Sequence, residues 1–125
     1  MQELIDEFRL GEVRKTRVGN LSGGQRRRCE IAITLACEPS FAMLDEPFAG
    51  LDRQLVRELI DDLIFWSQTA GFSIIAVDHQ AEVLRRLCPK QAIVLEQGRI
   101  VQKGAWEELC TAPATPLLRS LLAPL

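Results

Sequence analysis

Two short apolar runs, each closed by acidic or imidazole side chains, constrain this chain more than any other feature. Phe41-Ala42-Met43-Leu44 stops at Asp45-Glu46-Pro47, and Ser73-Ile74-Ile75-Ala76-Val77 stops at Asp78-His79. A continuous apolar run of four or five residues between polar boundaries predicts a buried strand rather than a half-solvated one. Between the runs, Arg53 to Thr69 places Leu55, Leu59, Leu63 and Trp66 at helical spacing, and Gly71 predicts its cap. Strand, helix, strand is the unit of a parallel sheet, so an α/β domain is expected. In open sheets of that kind ligands sit outside the carboxyl ends of the strands, where Asp45, Glu46, Asp78 and His79 fall.

The rest of the chain extends the pattern. Gln2 to Arg9 reads as a short amphipathic helix with Leu4, Ile5 and Phe8 on one side, and residues 10–21 as a loop marked by Gly11 and Gly19. Ser22 followed three residues later by Gln25 has the spacing of a capping box. The helix it opens is expected to reach Cys37, with Cys29, Ile33, Ala36 and Cys37 inward. Gln80 to Leu87 reads as a helix stopped before Pro89. Ala92–Leu95 and Arg99–Val101 flank Gln97-Gly98 as a hairpin, and the tail from Ala105 reads as helix broken by Pro113, Pro116 and Pro124.

Composition narrows the function classes. With 47% hydrophobic and 26% charged residues the chain resembles an ordinary globular domain, and a net charge of −2 offers no electrostatic basis for nucleic-acid binding. Arg26-Arg27-Arg28 is no exception, because three consecutive helical residues point to different sides; a solvated face plus packing is expected. No apolar run approaches the roughly 20 residues that span a bilayer, and the acidic start lacks the features of a signal peptide, so a cytoplasmic chain is expected. Cys29, Cys37, Cys88 and Cys110 form no C-x-x-C pair and His79 is the sole histidine, which disfavours zinc and leaves reduced cysteines acting as small apolar residues.

Leu21-Ser22-Gly23-Gly24-Gln25 joins the strand ends as a third element. Two glycines at a helix start let a backbone approach a ligand, and the free amides with the helix dipole favour an anion there. By itself the segment reads equally well as a flexible turn with a serine cap.

Taken together, these motifs resemble those of the ATP-binding-cassette (ABC) transporter ATPases. Leu21–Gln25 followed by Arg26-Arg27-Arg28 is similar to the signature. Phe41–Glu46 is similar to Walker B with its glutamate, Ala49-Gly50-Leu51-Asp52 to the D-loop, and His79 to the switch histidine. Leu95–Val101 with Gly104 is similar to the hairpin that follows. The resemblance covers essentially the whole chain.

It implies a partial P-loop NTPase (RecA-like) parallel sheet with part of the ABC helical subdomain. Residues 1–38 would supply that subdomain and the signature helix, and 39–125 the Walker B, D-loop, switch histidine and C-terminal lobe. The implied cofactors are ATP and Mg²⁺. Asp45 would serve the metal through a water, Glu46 would act as general base on the attacking water, and His79 would bond the γ-phosphate. Ser22, Gly23, Gly24 and Gln25 would contact ATP held by the opposite subunit, and Asp52 would link the two sites. The implied partners are a second ATPase subunit in a head-to-tail dimer and transmembrane permease subunits. The chain would lie on the inner membrane face through that permease, without binding nucleic acid.

Other readings stay open: a non-catalytic signature half completing a partner's site in trans, and the chromosome or DNA-repair ATPases that share a signature helix. The Asp45–Asp52 run and its distance from the signature favour transporters. Arg26–Ala32, Asp45–Gly50 and Asp78-His79 are similar to the lipopolysaccharide-export ATPase group. Thr34 and Arg53 depart from the arginine and proline usual there, which weakens a substrate assignment.

The sequence holds no Gly-x-x-x-x-Gly-Lys-Ser/Thr, since none of Lys15, Lys90 and Lys103 follows a glycine. Twenty residues before the signature also leave no room for a Q-loop segment or an adenine-stacking aromatic. Such a chain is expected neither to hold ATP tightly nor to hydrolyse it alone. Its sheet is expected to leave an apolar edge and face bare, favouring aggregation or association with a P-loop-containing half. A gene fragment and a split cassette are both compatible with this.

Overall fold

A computed structural model describes residues 2–123. The chain divides into two compact units between Ile75 and Ala76.

The first unit begins with α1 (Gln2–Glu7), which anchors itself through Leu4 and Phe8. A loop with turns at Val13 and Thr16 follows, pinned at its ends by buried Leu10 and Leu21. The predicted capping box opens α2 (Gly23–Ala36), with Cys37 as its C-cap. The predicted inward face of α2 holds only in part, with Cys29 and Ala36 half-buried. Arg28, Ile31, Ala32 and Leu35 are buried, whereas Ile33 is 68% exposed and Cys37 lies at the surface. Arg28 turns inward because acidic partners await it, and this rotates the apolar stripe off Ile33.

β1 (Phe41–Asp45) leads through a turn to α3 (Arg53–Ala70), which ends at Gly71 in the left-handed region at φ 74°. Leu59 and Leu63 are fully buried as expected, Leu55 and Trp66 are half-buried, and Val56 and Ile60 complete the inward face. β2 (Ser73–Val77) pairs with β1 in a parallel arrangement, begun by the Ser73 N–H donating to the Ser40 carbonyl at 3.0 Å.

The expectation of strands buried on both sides fails. Ala42 and Leu44 are buried, but Phe41 and Met43 on the opposite face of β1 are 62% and 76% exposed. Ile75 and Val77 in β2 are likewise exposed. Parallel sheets are normally covered on both faces. Nothing among the described residues covers this one, so the apolar face is bare, as the sequence also implied.

The second unit contains α4 (Ala81–Leu87) and an antiparallel hairpin of β3 (Ala92–Glu96) and β4 (Arg99–Gly104). Gln97 and Gly98 turn the hairpin at φ 49° and 75°, the positive pair of a two-residue turn. The register slips between Val94 and Leu95. Two short helices finish the unit, α5 (Trp106–Thr111) and α6 (Pro116–Leu122). Trp106 and Leu109 are buried, and the Trp106 indole N–H donates to the Cys88 carbonyl at 2.8 Å. Pro116 does not break the tail. It sits in the first turn of α6 behind the Thr115 cap, where a missing N–H costs nothing. Pro124 lies outside the described residues. No described helix is long and apolar enough to cross a membrane.

Candidate functional site

The signature segment folds as a helix start. Ser22 Oγ accepts the Gln25 N–H at 3.1 Å, and Gln25 Oε1 accepts the Ser22 N–H at 3.0 Å. Buried Leu21 fixes the approach to this cap. The two glycines then differ in what they need. A side chain at Gly23 would meet nothing within 4 Å, so its backbone faces open space. A Cβ at Gly24 would overlap Leu55 Cδ2 in α3. Gly23 is thus exposed at the helix start, and Gly24 lets two helices come close.

β1 delivers Asp45 to an exposed position at its carboxyl end. Glu46 follows with φ 41°, in the left-handed region that a side chain of its kind rarely adopts. The turn is held from below: Pro47 is buried and Phe48 is 1% exposed. The Glu46 carbonyl accepts the Ala49 N–H at 3.2 Å, and the Phe48 carbonyl accepts the Leu51 N–H at 3.2 Å. Backbone strain of this kind costs on the order of 1 kcal/mol and concentrates at functional sites. Asp52 caps α3, its Oδ1 accepting the Leu55 N–H at 3.0 Å. The Gly24–Leu55 contact therefore brings the start of α2 against the first turn of α3.

In the second unit Asp78 and His79 divide their tasks. The Asp78 side chain is 1% exposed and its Oδ1 accepts the Gln80 N–H at 2.9 Å, which turns the chain into α4. The His79 side chain is 65% exposed, with Nδ1 3.7 Å from Asp78 Oδ1. The pair borders an otherwise largely apolar cavity of about 200 Å³ walled by Leu84, Val94, Trp106 and Leu109.

Among the described residues no group of three or more His, Cys, Asp or Glu side chains could enclose a metal ion. A Mg²⁺ brought in on phosphate oxygens needs only one or two protein carboxylates and keeps several waters, and exposed Asp45 fits that requirement.

Sequence reasoning missed one charged cluster. Arg28 Nη2 meets Glu58 Oε2 at 2.8 Å, and Arg28 Nη1 meets Asp62 Oδ2 at 3.2 Å. Arg9 Nη1 also meets Glu58 Oε2 at 2.8 Å. Burial pushes the Asp62 carboxyl up, with Arg28 opposing. The Gln54 hydrogen bond, aided by the charges of Arg9 and Arg28, holds Glu58 below its ordinary range. The spacing Glu58-x-x-x-Asp62 on the inward side of α3 was the available signal.

The family model described as ABC transporter matches residues 1–49. The lipopolysaccharide export system ATP-binding protein LptB of Acidithiobacillus ferridurans is 38% identical over 112 residues, which are 90% of this chain and 46% of that protein. The methionine import ATP-binding protein MetN of Haemophilus influenzae (strain 86-028NP) is 34% identical over 119 residues, 95% of this chain and 34% of that protein. The chain thus spans less than half the length of these curated relatives. Among solved structures, a nucleotide-free ATP-binding cassette from an ABC transporter superposes with a TM-score of 0.81 at 19% identity, covering 98% of this chain and 48% of that one. CbiO1 of Clostridium perfringens, part of the ABC transporter complex cbiONQ, gives 0.75 at 27% identity over 89% of this chain and 44% of that one. Capped glycine helix, strand ending in paired carboxylates and α/β framework thus meet in one conclusion: along nine-tenths or more of its length the chain is similar to the ATP-binding proteins of ABC transporters.

Proposed function

We propose that this chain supplies the signature and hydrolytic side of an ATP-hydrolysing transporter subunit. One observation carries the reading: Glu46 is held at φ 41° directly after the β1 carboxylate Asp45, on a turn anchored by buried Pro47 and Phe48. A strained carboxylate over-determined by its support is the arrangement a positioned base requires.

Mg²⁺ bound with ATP would neutralise charge on the phosphate oxygens. Asp45 would hold that ion, and Glu46 would orient and deprotonate the attacking water. His79, exposed at the end of its strand, donates a hydrogen bond to the γ-phosphate. Ser22 to Gln25 face ATP carried by a second subunit in a head-to-tail dimer, offering the Gly23 amide and the positive end of α2. Ser22 and Gln25 already serve the cap through their side chains, so the helix start is rigid before any phosphate arrives. Asp52, through its cap on α3, ties this surface to the partner's site.

The bare Phe41 and Met43 face is where the P-loop-bearing part of the cassette packs. With that part in place, the subunit sits against permease subunits at the inner membrane face.

The test is Glu46→Gln in a cassette assembled from this chain and a P-loop-bearing segment. Turnover is expected to vanish while ATP binding persists and a nucleotide-bound dimer accumulates. Near-normal turnover would remove Glu46 from the base role, and micromolar ATP affinity of the chain alone would overturn the division of labour.

A further inference from the structure

We propose that Arg28 is a positioning residue that locks α2 to α3 near their starts, so that Ser22–Gln25, which face a bound phosphate, and Asp52, which links the two sites, are carried as one rigid body. The functional half of this statement rests on the proposed reading of the signature and D-loop; the mechanical half does not.

Arg28 lies four residues after Gly24 and so shares its face of α2. On α3, Leu55, Glu58 and Asp62 are spaced by three and four residues and form the matching stripe. Gly24 abuts Leu55, while the Arg28 fork engages Glu58 at 2.8 Å and Asp62 at 3.2 Å. The same guanidinium donates to the Phe8 carbonyl at 3.4 Å, which adds the end of the first helix to the joint.

From Glu58 the connection runs back toward the cap. Glu58 Oε1 accepts from Gln54 Nε2 at 3.1 Å, and Gln54 is two residues beyond Asp52. The Arg28 side chain is 7% exposed and that of Asp62 is 9% exposed. A buried ion pair seldom stabilises a fold more than apolar side chains of equal volume would, but a planar fork with two fixed acceptors permits one register only. Sliding or rotating α2 by one residue would strand a buried charge. The cluster therefore specifies relative position at two helix starts that both carry candidate ligand-facing residues.

The primary test is hydrogen exchange on the chain itself, comparing Arg28→Met with the parent. Met matches much of the volume and removes the fork. Amides of Gln25 and Arg26 and of Leu55 and Val56 are expected to exchange at least tenfold faster, in concert. Leu35→Ala, which weakens the same helix without touching the cluster, should not couple the two sets. Parent-like exchange at both starts, or acceleration at one only, overturns the proposal.

If Arg28→Met loses its helical signal, Arg28→Lys takes its place, since it keeps the charge without the fork, and the same outcomes decide. In the assembled cassette, Arg28→Met is expected to lower kcat at least tenfold while half-saturation by ATP moves less than threefold. An unchanged kcat overturns the functional half. An assembled parent cassette with no turnover would count against the proposed function instead, leaving the exchange result to judge the joint.

Discussion

Gly24 of α2 and Leu55 of α3 are in such close contact that a Cβ at position 24 would overlap Leu55 Cδ2. One glycine of the signature therefore faces a helix neighbour, the end of the Leu55 side chain, whether or not a ligand is present. Gly24→Ala should incur an overpacking cost of about 1 kcal/mol by displacing that methyl group, offset in large part by the higher helix propensity of alanine in α2. Leu55→Ala in the same chain should remove most of that increment. Additive effects in a denaturant double-mutant cycle would show that the two residues do not couple.

Ser22 can be separated into cap and ligand surface. Ser22→Ala should cost about 1 kcal/mol, because Gln25 loses its acceptor at the helix start. Ser22→Asp preserves the cap, so its melting temperature should match the parent. In the assembled cassette the added negative charge should nonetheless abolish closure on the partner's γ-phosphate. Normal turnover in Ser22→Asp would separate the cap from the proposed site.

Glu46 at φ 41° makes stability and activity oppose each other. Glu46→Gly should raise thermal stability by about 1 kcal/mol, since glycine enters this region without steric penalty. The same change should eliminate turnover in the assembled cassette. A less stable Glu46→Gly chain would mean that the Glu46 side chain contributes more to the fold than its backbone costs.

The Arg28 cluster sets two pH dependences of opposite sign. Glu58 is held below its ordinary value, first by the Gln54 hydrogen bond and then by Arg9 and Arg28. Its contribution to stability is present above that ordinary value and is lost as pH falls through the depressed one. Asp62 is raised by burial. Its ionisation costs stability as pH rises through the elevated value, and the cost is absent below the ordinary one. Glu58→Gln should flatten the loss of melting temperature in acid, and Asp62→Asn should flatten the decline from the acid range toward neutrality. Unchanged slopes would show that neither carboxyl is linked to folding.

Local rules were enough for much of this protein. The Ser22–Gln25 capping box, Gly71 as a helix stop and the Gln97-Gly98 turn each depend on residues within a few positions of one another, so their spacing in the sequence is nearly their geometry. The resemblance carried by the residues from Ser22 to His79 was legible for the same reason. Long-range packing was not. Ile33 and Arg28 have exchanged the places that hydrophobic periodicity predicts, because Glu58 and Asp62 lie 30 and 34 residues away from Arg28 and only the folded chain brings them to it. Apolar runs in β1 and β2 announced strands with two faces to cover, yet coverage depends on what packs against them, and one face stays bare. The sequence by itself determined the elements, their caps and the candidate chemistry. Tertiary structure alone decided which side of α2 is buried and which glycine serves packing, because burial and charge pairing are settled by neighbours distant along the chain.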